Sequence, residues 1–249
     1  MAMHPSTEGS PSASTIVEFF GLPGVGKSYV AALMRRGLSD LGIASRIADR
    51  GVSPEVTGHV RVRRKLRSVA TQGLAHPVRS IRALGAIGQR DASSSLSRSV
   101  QWLVTQALFA QARRSGGVHL FQEGVLQALW SIGLRGSPER MLGLLRGDAL
   151  DPILADLAVV VEAPMEVVRS RLGSRGSGHS RTERLGQAER EAELARGQEL
   201  LVELLAWWGS MGGPGRVVHV TNASDGPPDI EAAVRRIASL AMQGPGPGT

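Results

Sequence analysis

The stretch Gly21–Ser28 constrains what this chain can fold into more than any other part of the sequence. It reads Gly-Leu-Pro-Gly-Val-Gly-Lys-Ser and matches the pattern G-x-x-x-x-G-K-S/T at every fixed position. Its three glycines allow the backbone to turn and to approach a ligand closely, so that successive N–H groups point at an anion. Lys27 supplies a compact positive charge for phosphates, and the Ser28 hydroxyl is suited to ligate Mg²⁺. We therefore predict a phosphate-binding loop.

Such a loop requires a strand before it and a helix after it, and the sequence predicts both. Residues 15–20 form a short β-branched and aromatic run, which is typical of a buried strand. From Ser28 to Leu41 the apolar residues recur at helical spacing, and this segment ends at Gly42. Because both flanks agree with the motif, we favour the phosphate-binding loop over a chance glycine-rich turn.

Length and composition limit the class of protein. With 249 residues and 42% hydrophobic content, the chain suits one α/β domain or one such domain with an inserted helical lobe, and we favour the second. The absence of cysteine excludes disulfides and thiolate chemistry, and it is compatible with a cytoplasmic location. No apolar stretch reaches the roughly 18 residues that span a bilayer.

The two ends of the chain are expected to lie outside the folded domain. Residues 1–14 are rich in Ser and Pro and lack the basic start and apolar run of a signal peptide, so we predict a disordered tail. Residues 243–249 are dominated by Gly and Pro and are predicted to be a second disordered tail. The predicted domain therefore covers residues 15–242.

The positive charge is concentrated in residues 56–90, which we call the basic segment. It holds eight basic residues and no acidic one, so the rest of the chain is close to neutral. The segment falls in a region, residues 51–114, that we predict to be a helical lobe, with helices around 60–70, 77–87 and 93–114. It could bind an anionic substrate, nucleic acid or acidic lipid, or be a solvated face. Its lack of aromatic residues disfavours single-stranded nucleic acid.

Two acidic residues follow predicted strands and are candidates for catalysis. Asp49 comes after the strand at 43–48, and Glu123 comes after the strand at 118–121 and Gln122. Ligands of parallel α/β sheets gather at the carboxyl ends of the strands. Asp49 could meet a substrate or metal there, or cap the next segment. Glu123 could serve as metal ligand, general base or partner of a substrate hydroxyl, or simply favour a helix N-terminus. His119, inside the strand, is expected to be structural.

A second basic stretch follows the clearest buried strand, at 156–161. A helix at 165–172 leads into residues 173–184, which are rich in Gly and Arg. Together they present Arg171, Arg175, Arg181 and Arg184, which fits a lid that closes over phosphates and neutralises their charge. The other interpretation is a flexible basic linker. A long helix from 182 to 208, a strand at 216–220 and a final helix at about 229–242 complete the chain.

This order of elements resembles the small P-loop kinases of nucleosides and nucleotides, the thymidylate-kinase-like branch in particular. The resemblance covers residues 15–242 and is most specific at Gly21–Ser28. It implies an α/β three-layer sandwich with a mostly parallel five-stranded sheet and an inserted helical substrate lobe. It further implies ATP and Mg²⁺ as cofactors and a small-molecule acceptor as the partner.

Carried over to this sequence, the resemblance also implies site residues. Nucleotide contacts are expected at Gly21, Leu22, Pro23, Gly24, Val25, Gly26, Lys27, Ser28, Tyr29, Arg171 and Asn222. Mg²⁺ is expected at Ser28 and Glu123, and catalytic roles are expected for Lys27, Asp49, Glu123, Arg175 and Arg181. An Asp-Arg-Tyr type acceptor signature is absent after the third strand, where Gln122-Glu-Gly124 stands. A nucleotide acceptor is therefore not presumed.

The sequence thus predicts a cytoplasmic, ATP-dependent phosphotransferase acting on a small hydroxyl- or phosphate-bearing molecule, without a membrane span and compatible with a homodimer. The alternative is a regulatory nucleotide-binding NTPase that docks nucleic acid or a protein partner through the basic segment.

Overall fold

The computed structural model of the chain describes residues 14–48, 87, 92–136, 154–174, 185–212, 216–223 and 226–243. These residues form strands β1 (Ser14–Phe20), β2 (Ser45–Ala48), β3 (Gly117–Phe121), β4 (Leu157–Glu162) and β5 (Val217–Thr221). They also form helices α1 (Lys27–Asp40), α2 (Ala92–Ser115), α3 (Val125–Arg135), α4 (Met165–Ser174), α5 (Gln187–Gly212) and α6 (Glu231–Gln243).

The five strands form one sheet in the order β2-β3-β1-β4-β5, and every neighbouring pair is parallel. This arrangement confirms the predicted α/β class and parallel sheet. Because the strands are parallel, the segments that follow them start at one edge of the sheet. β1 lies in the centre, so the phosphate-binding loop that follows it occupies the middle of that edge.

The central strand is buried along almost its whole length. Ile16, Val17, Phe19 and Phe20 have no exposed surface, as expected of a parallel strand covered on both faces. Glu18 is equally buried and is the polar exception between them.

Two groups of helices flank the sheet. α1 and α6 pack against each other and against β1, while α2 and α3 also contact β1 and α5 packs on α3. In the second group the indole Nε1 of the buried Trp130 donates to the Gly197 carbonyl at 2.7 Å and joins α3 to α5. Trp130 is thus part of the core. In the described part of the chain no helix combines the length and apolar character that a membrane crossing requires.

A hydrogen-bonded ion pair joins elements at the edge where β1 and β4 begin. The Arg113 guanidinium of α2 donates to both carboxylate oxygens of Asp156, at 2.6 and 2.8 Å, and to the Leu154 carbonyl at 2.8 Å. The same carboxylate accepts the backbone N–H of Ile16 at 2.7 Å. Because Asp156 immediately precedes β4, this network fixes the start of two strands relative to α2.

Several element boundaries differ from the sequence predictions. β1 begins at Ser14, inside the predicted tail, and α5 begins at Gln187, later than the predicted start at 182. α6 begins at Glu231, whose N–H donates to the Asp229 carboxylate at 3.0 Å in the turn just before the helix. The long helix predicted at 93–114 is confirmed as α2.

Other predictions fall on residues that the structure does not describe. These are the two tails up to residue 13 and from 244, the basic segment except Ile87, and the lid residues 175–184. The alternative function as a regulatory NTPase depends on the basic segment and therefore rests on the sequence alone.

Candidate phosphate-binding site

The phosphate-binding loop ends in an open helix N-terminus. Gly26 has φ 91° and ψ 30°, a left-handed conformation that suits glycine, and α1 begins at the next residue. The first bond of the helix runs from the Val30 N–H to the Gly26 carbonyl at 3.1 Å. The earlier N–H groups of α1 therefore have no acceptor within the helix. Its first turn carries no acidic residue and no side-chain cap, which leaves a positive end suited to an anion.

Two side chains from other elements donate hydrogen bonds to the same backbone carbonyl of the loop. The buried Asn222, directly after β5, donates its Nδ2 to the Val25 carbonyl at 2.7 Å. Arg171 of α4 donates its Nη1 to the same carbonyl at 3.3 Å. A Cβ at Gly26 would collide with the Asn222 amide. Both residues were predicted as nucleotide contacts, and the structure brings both to the loop.

Helix α4 also packs directly on the loop. A Cβ at Gly24 would lie 3.1 Å from Cγ of Leu172 and 3.3 Å from the Val168 carbonyl, so a side chain there would require the helix to shift by a few tenths of an ångström. Leu22 and Val25 of the loop are buried in the core. The loop conformation is therefore fixed by packing as well as by its glycines.

The Lys27 ammonium group lies over the start of its own loop. Its Nζ donates to the Gly21 carbonyl at 2.7 Å and to the Leu22 carbonyl at 3.2 Å. These neutral acceptors are weaker partners for an ammonium than phosphate oxygens are. The geometry thus places a cation at the start of the loop.

The Ser28 hydroxyl contacts Gln122, the first residue after β3. Ser28 Oγ donates to Gln122 Oε1 at 2.8 Å, which joins the start of α1 to the loop between β3 and α3. Hydroxyl and amide oxygens are the hard donors that Mg²⁺ accepts, and Mg²⁺ in such sites is held largely by phosphates and water. Among the described residues no cluster of three or more His, Cys, Asp or Glu could hold a metal. The Ser28 hydroxyl oxygen and the Gln122 amide oxygen therefore fit as ligands of a magnesium ion that arrives bound to a nucleotide.

Glu123 and Tyr29, two other predicted site residues, are exposed to solvent. Glu123 is the residue after Gln122, so it shares the loop that reaches Ser28. Tyr29 lies in the first turn of α1 and is 51% exposed. Their proposed roles stay predictions. Asp49 and the lid residues Arg175 and Arg181 lie outside the described residues and also stay predictions.

Glu18 is a residue of the site that was not predicted from the sequence. Its two carboxyl oxygens accept the backbone N–H groups of Val125 at 2.9 Å and of Gln127 at 3.1 Å, both in the first turn of α3. A Cβ at Gly124 would collide with this carboxyl group. The signal that could have found it is an acidic residue within a continuous apolar strand, since a buried carboxylate requires hydrogen-bond donors.

His119 is structural, as predicted. It is buried in β3, and its Nε2 lies 2.8 Å from the Gly116 carbonyl and 3.1 Å from Ser115 Oγ. Since a carbonyl only accepts, Nε2 carries the proton. Burial lowers the pKa of His119 below its ordinary value, which favours the neutral ring.

The chain is similar to known proteins in its fold but not in its sequence. No family model and no curated protein matches the sequence. Thymidylate kinase from Candida albicans matches in structure with a TM-score of 0.51 at 13% identity, covering 93% of this chain and 92% of that one. Thymidylate kinase from Ehrlichia chaffeensis gives 0.48 at 12% identity (91% and 98% covered), and deoxyadenosine kinase from M. mycoides gives 0.49 at 13% (90% and 98% covered). At this identity the likeness concerns the fold alone, and the chain shares its fold with the Candida albicans enzyme.

Proposed function

We propose that this protein is a phosphotransferase that moves the γ-phosphoryl group of ATP to a small hydroxyl- or phosphate-bearing acceptor. The observation that carries the proposal is the glycine loop at the open N-terminus of α1, with the Lys27 ammonium beside it. The fold that the chain shares with a thymidylate kinase supports it.

In this proposal the loop binds the terminal phosphates. The first N–H groups of α1 donate to phosphate oxygens, and Lys27 transfers its hydrogen bonds from the carbonyls of Gly21 and Leu22 to them. These donors are in place before the reaction, so they stabilise the negative charge on the transferring group at little reorganisation cost. Arg175 and Arg181 of the lid would add positive charge and exclude water.

Ser28 and Gln122 would hold Mg²⁺ together with the phosphates and water. The ion, when bound, neutralises charge on the β- and γ-phosphate oxygens. Glu123 and Asp49, both after strands, would orient the acceptor hydroxyl or accept its proton. The acceptor itself is unassigned, because Gln122-Glu-Gly124 differs from the acceptor signature of the resembling kinases.

The test is a screen for acceptor-dependent ATP consumption with nucleosides, nucleotides, sugars and aminoglycoside-type alcohols. We expect at least one acceptor to support turnover that requires Mg²⁺. Lys27→Ala should abolish this turnover while circular dichroism and the melting temperature stay close to wild type. Arg36→Ala is the matched control, because Arg36 is an exposed cation of α1 that lies outside the loop. Full activity in Lys27→Ala would contradict the proposal.

A further inference from the structure

Glu18 is an unusual residue for the centre of this sheet. It is fully buried in β1 and has the apolar neighbours Val17 and Phe19 along the strand. A buried carboxyl group is costly unless it is hydrogen-bonded, and an apolar side chain would avoid that cost. The donors it receives are the N–H groups of Val125 and Gln127, 107 and 109 residues away in the chain. The carboxyl group therefore holds the first turn of α3.

That turn determines where a functional loop lies. Only Gln122, Glu123 and Gly124 separate β3 from α3. On the strand side, Phe121 pairs in register with Glu18 itself. On the helix side, the Glu18 carboxyl holds Val125 at 2.9 Å. The short loop is thus fixed at both ends by the same residue of β1.

The loop in turn contacts the phosphate-binding loop. Gln122 accepts the Ser28 hydroxyl at 2.8 Å, and Ser28 lies eight residues after Phe20, the last residue of β1. β1 therefore affects the site in two ways. It leads directly into the phosphate-binding loop, and its residue Glu18 holds the loop between β3 and α3, which contacts Ser28. We propose that Glu18 is a positioning residue that places Gln122 against Ser28 and so sets the affinity of the site for Mg²⁺ bound with a nucleotide. This proposal rests on the proposed function.

Gly124 offers an independent way to disturb the same arrangement. A Cβ at this position collides with the Glu18 carboxyl group, so Gly124→Ala displaces either the loop or the carboxyl without changing a charge. Glu18→Gln keeps the shape but replaces one acceptor oxygen by an NH₂ group, which faces a backbone N–H donor. The two variants perturb one contact from opposite sides.

The control is Val17→Ala. Val17 is fully buried in the same strand, and alternation along a strand directs it to the opposite face from Glu18. Its truncation destabilises the core of the sheet without touching the N–H groups of α3. Comparison with Val17→Ala therefore distinguishes an effect of lower overall stability from an effect of a displaced loop.

The experiment is calorimetric titration of the full chain with ADP, with and without Mg²⁺, for wild type and the three variants. We expect Mg²⁺ to tighten ADP binding to wild type and to Val17→Ala. In Glu18→Gln and Gly124→Ala we expect metal-free ADP to bind as in wild type, while affinity for the Mg²⁺ complex falls by about tenfold or more, as for other residues that orient metal ligands.

Four results would overturn the proposal, and they point to different errors. Glu18 has no positioning role if Mg²⁺ raises the ADP affinity of Glu18→Gln and Gly124→Ala as much as that of wild type. The same conclusion follows if Val17→Ala loses this increase in affinity to the same extent as those two variants. If wild type binds ADP equally well with and without Mg²⁺, the loop has no role toward the ion. If wild type binds no ADP at all, the proposed function itself fails.

Discussion

Replacing Gly26 by alanine tests the geometry of the phosphate-binding loop most severely. At φ 91° an L-residue costs about 1–2 kcal/mol. The new Cβ also collides with the Asn222 amide, whose bond to the Val25 carbonyl is 2.7 Å long and buried. Losing that bond with its donor left buried costs about 1–3 kcal/mol. We therefore expect Gly26→Ala to lower the free energy of unfolding by about 2–5 kcal/mol.

A double-mutant cycle separates the two contributions. Asn222→Ala removes the collision, so Gly26→Ala combined with Asn222→Ala should be less destabilised than the sum of the single variants. The backbone cost remains in the double variant. The assay is denaturant unfolding followed by circular dichroism, with ADP titration of each variant. Unfolding free energies that simply add, or a Gly26→Ala protein as stable as wild type and equally able to bind ADP, would refute this description of the loop.

Two further predictions concern stability away from the loop. Arg113→Gln should lower the free energy of unfolding by about 1–2 kcal/mol, because the partly exposed bidentate pair with Asp156 is lost, and should leave ADP affinity unchanged. Urea unfolding checks the first expectation, and an altered ADP affinity would argue against a purely structural role. Because burial lowers the pKa of His119, the unfolded chain binds more protons there than the folded chain once the pH drops below the ordinary value of about 6.5. Stability should therefore fall as the pH is lowered from 7 to 5, and the fall should be smaller in His119→Gln; equal slopes in the two proteins would show that His119 does not contribute.

Much of the fold could be predicted because its signals are local. The glycine loop has its strand and helix as immediate neighbours, and β4 is a continuous apolar run that a buried parallel strand requires. The ends of helices were less predictable where a side-chain hydrogen bond lies at the boundary. The Asp229 side chain binds the Glu231 N–H in a turn before α6, so the helix starts two residues after the predicted position.

The contacts of the site were less accessible to sequence reasoning because they join distant parts of the chain. Ser28 and Gln122 are 94 residues apart, and Glu18 and Val125 are 107 apart. Local patterns predict that a carboxylate needs donors, but the sheet order decides which helix N-terminus lies beside it. Gln122 is not among the predicted site residues, yet its amide oxygen accepts the hydrogen bond of the Ser28 hydroxyl.

Arg171 and Asn222 were predicted to lie at the site, but their observed contacts are with the protein backbone. The resemblance to P-loop kinases predicted them as nucleotide contacts, and the structure has both donating to the Val25 carbonyl. Their observed bonds stabilise the loop itself. A role toward the nucleotide remains a prediction for these two residues.

The central claim is that backbone N–H groups at the start of α1 bind the terminal phosphates of a nucleotide. Amide chemical shifts of the ¹⁵N-labelled protein test it directly, with ADP and adenosine as the two ligands. We expect ADP to shift the amide signals of Gly24, Gly26, Lys27 and Ser28, whereas adenosine leaves them in place. Unchanged signals with ADP, or the same shifts with adenosine, would contradict it.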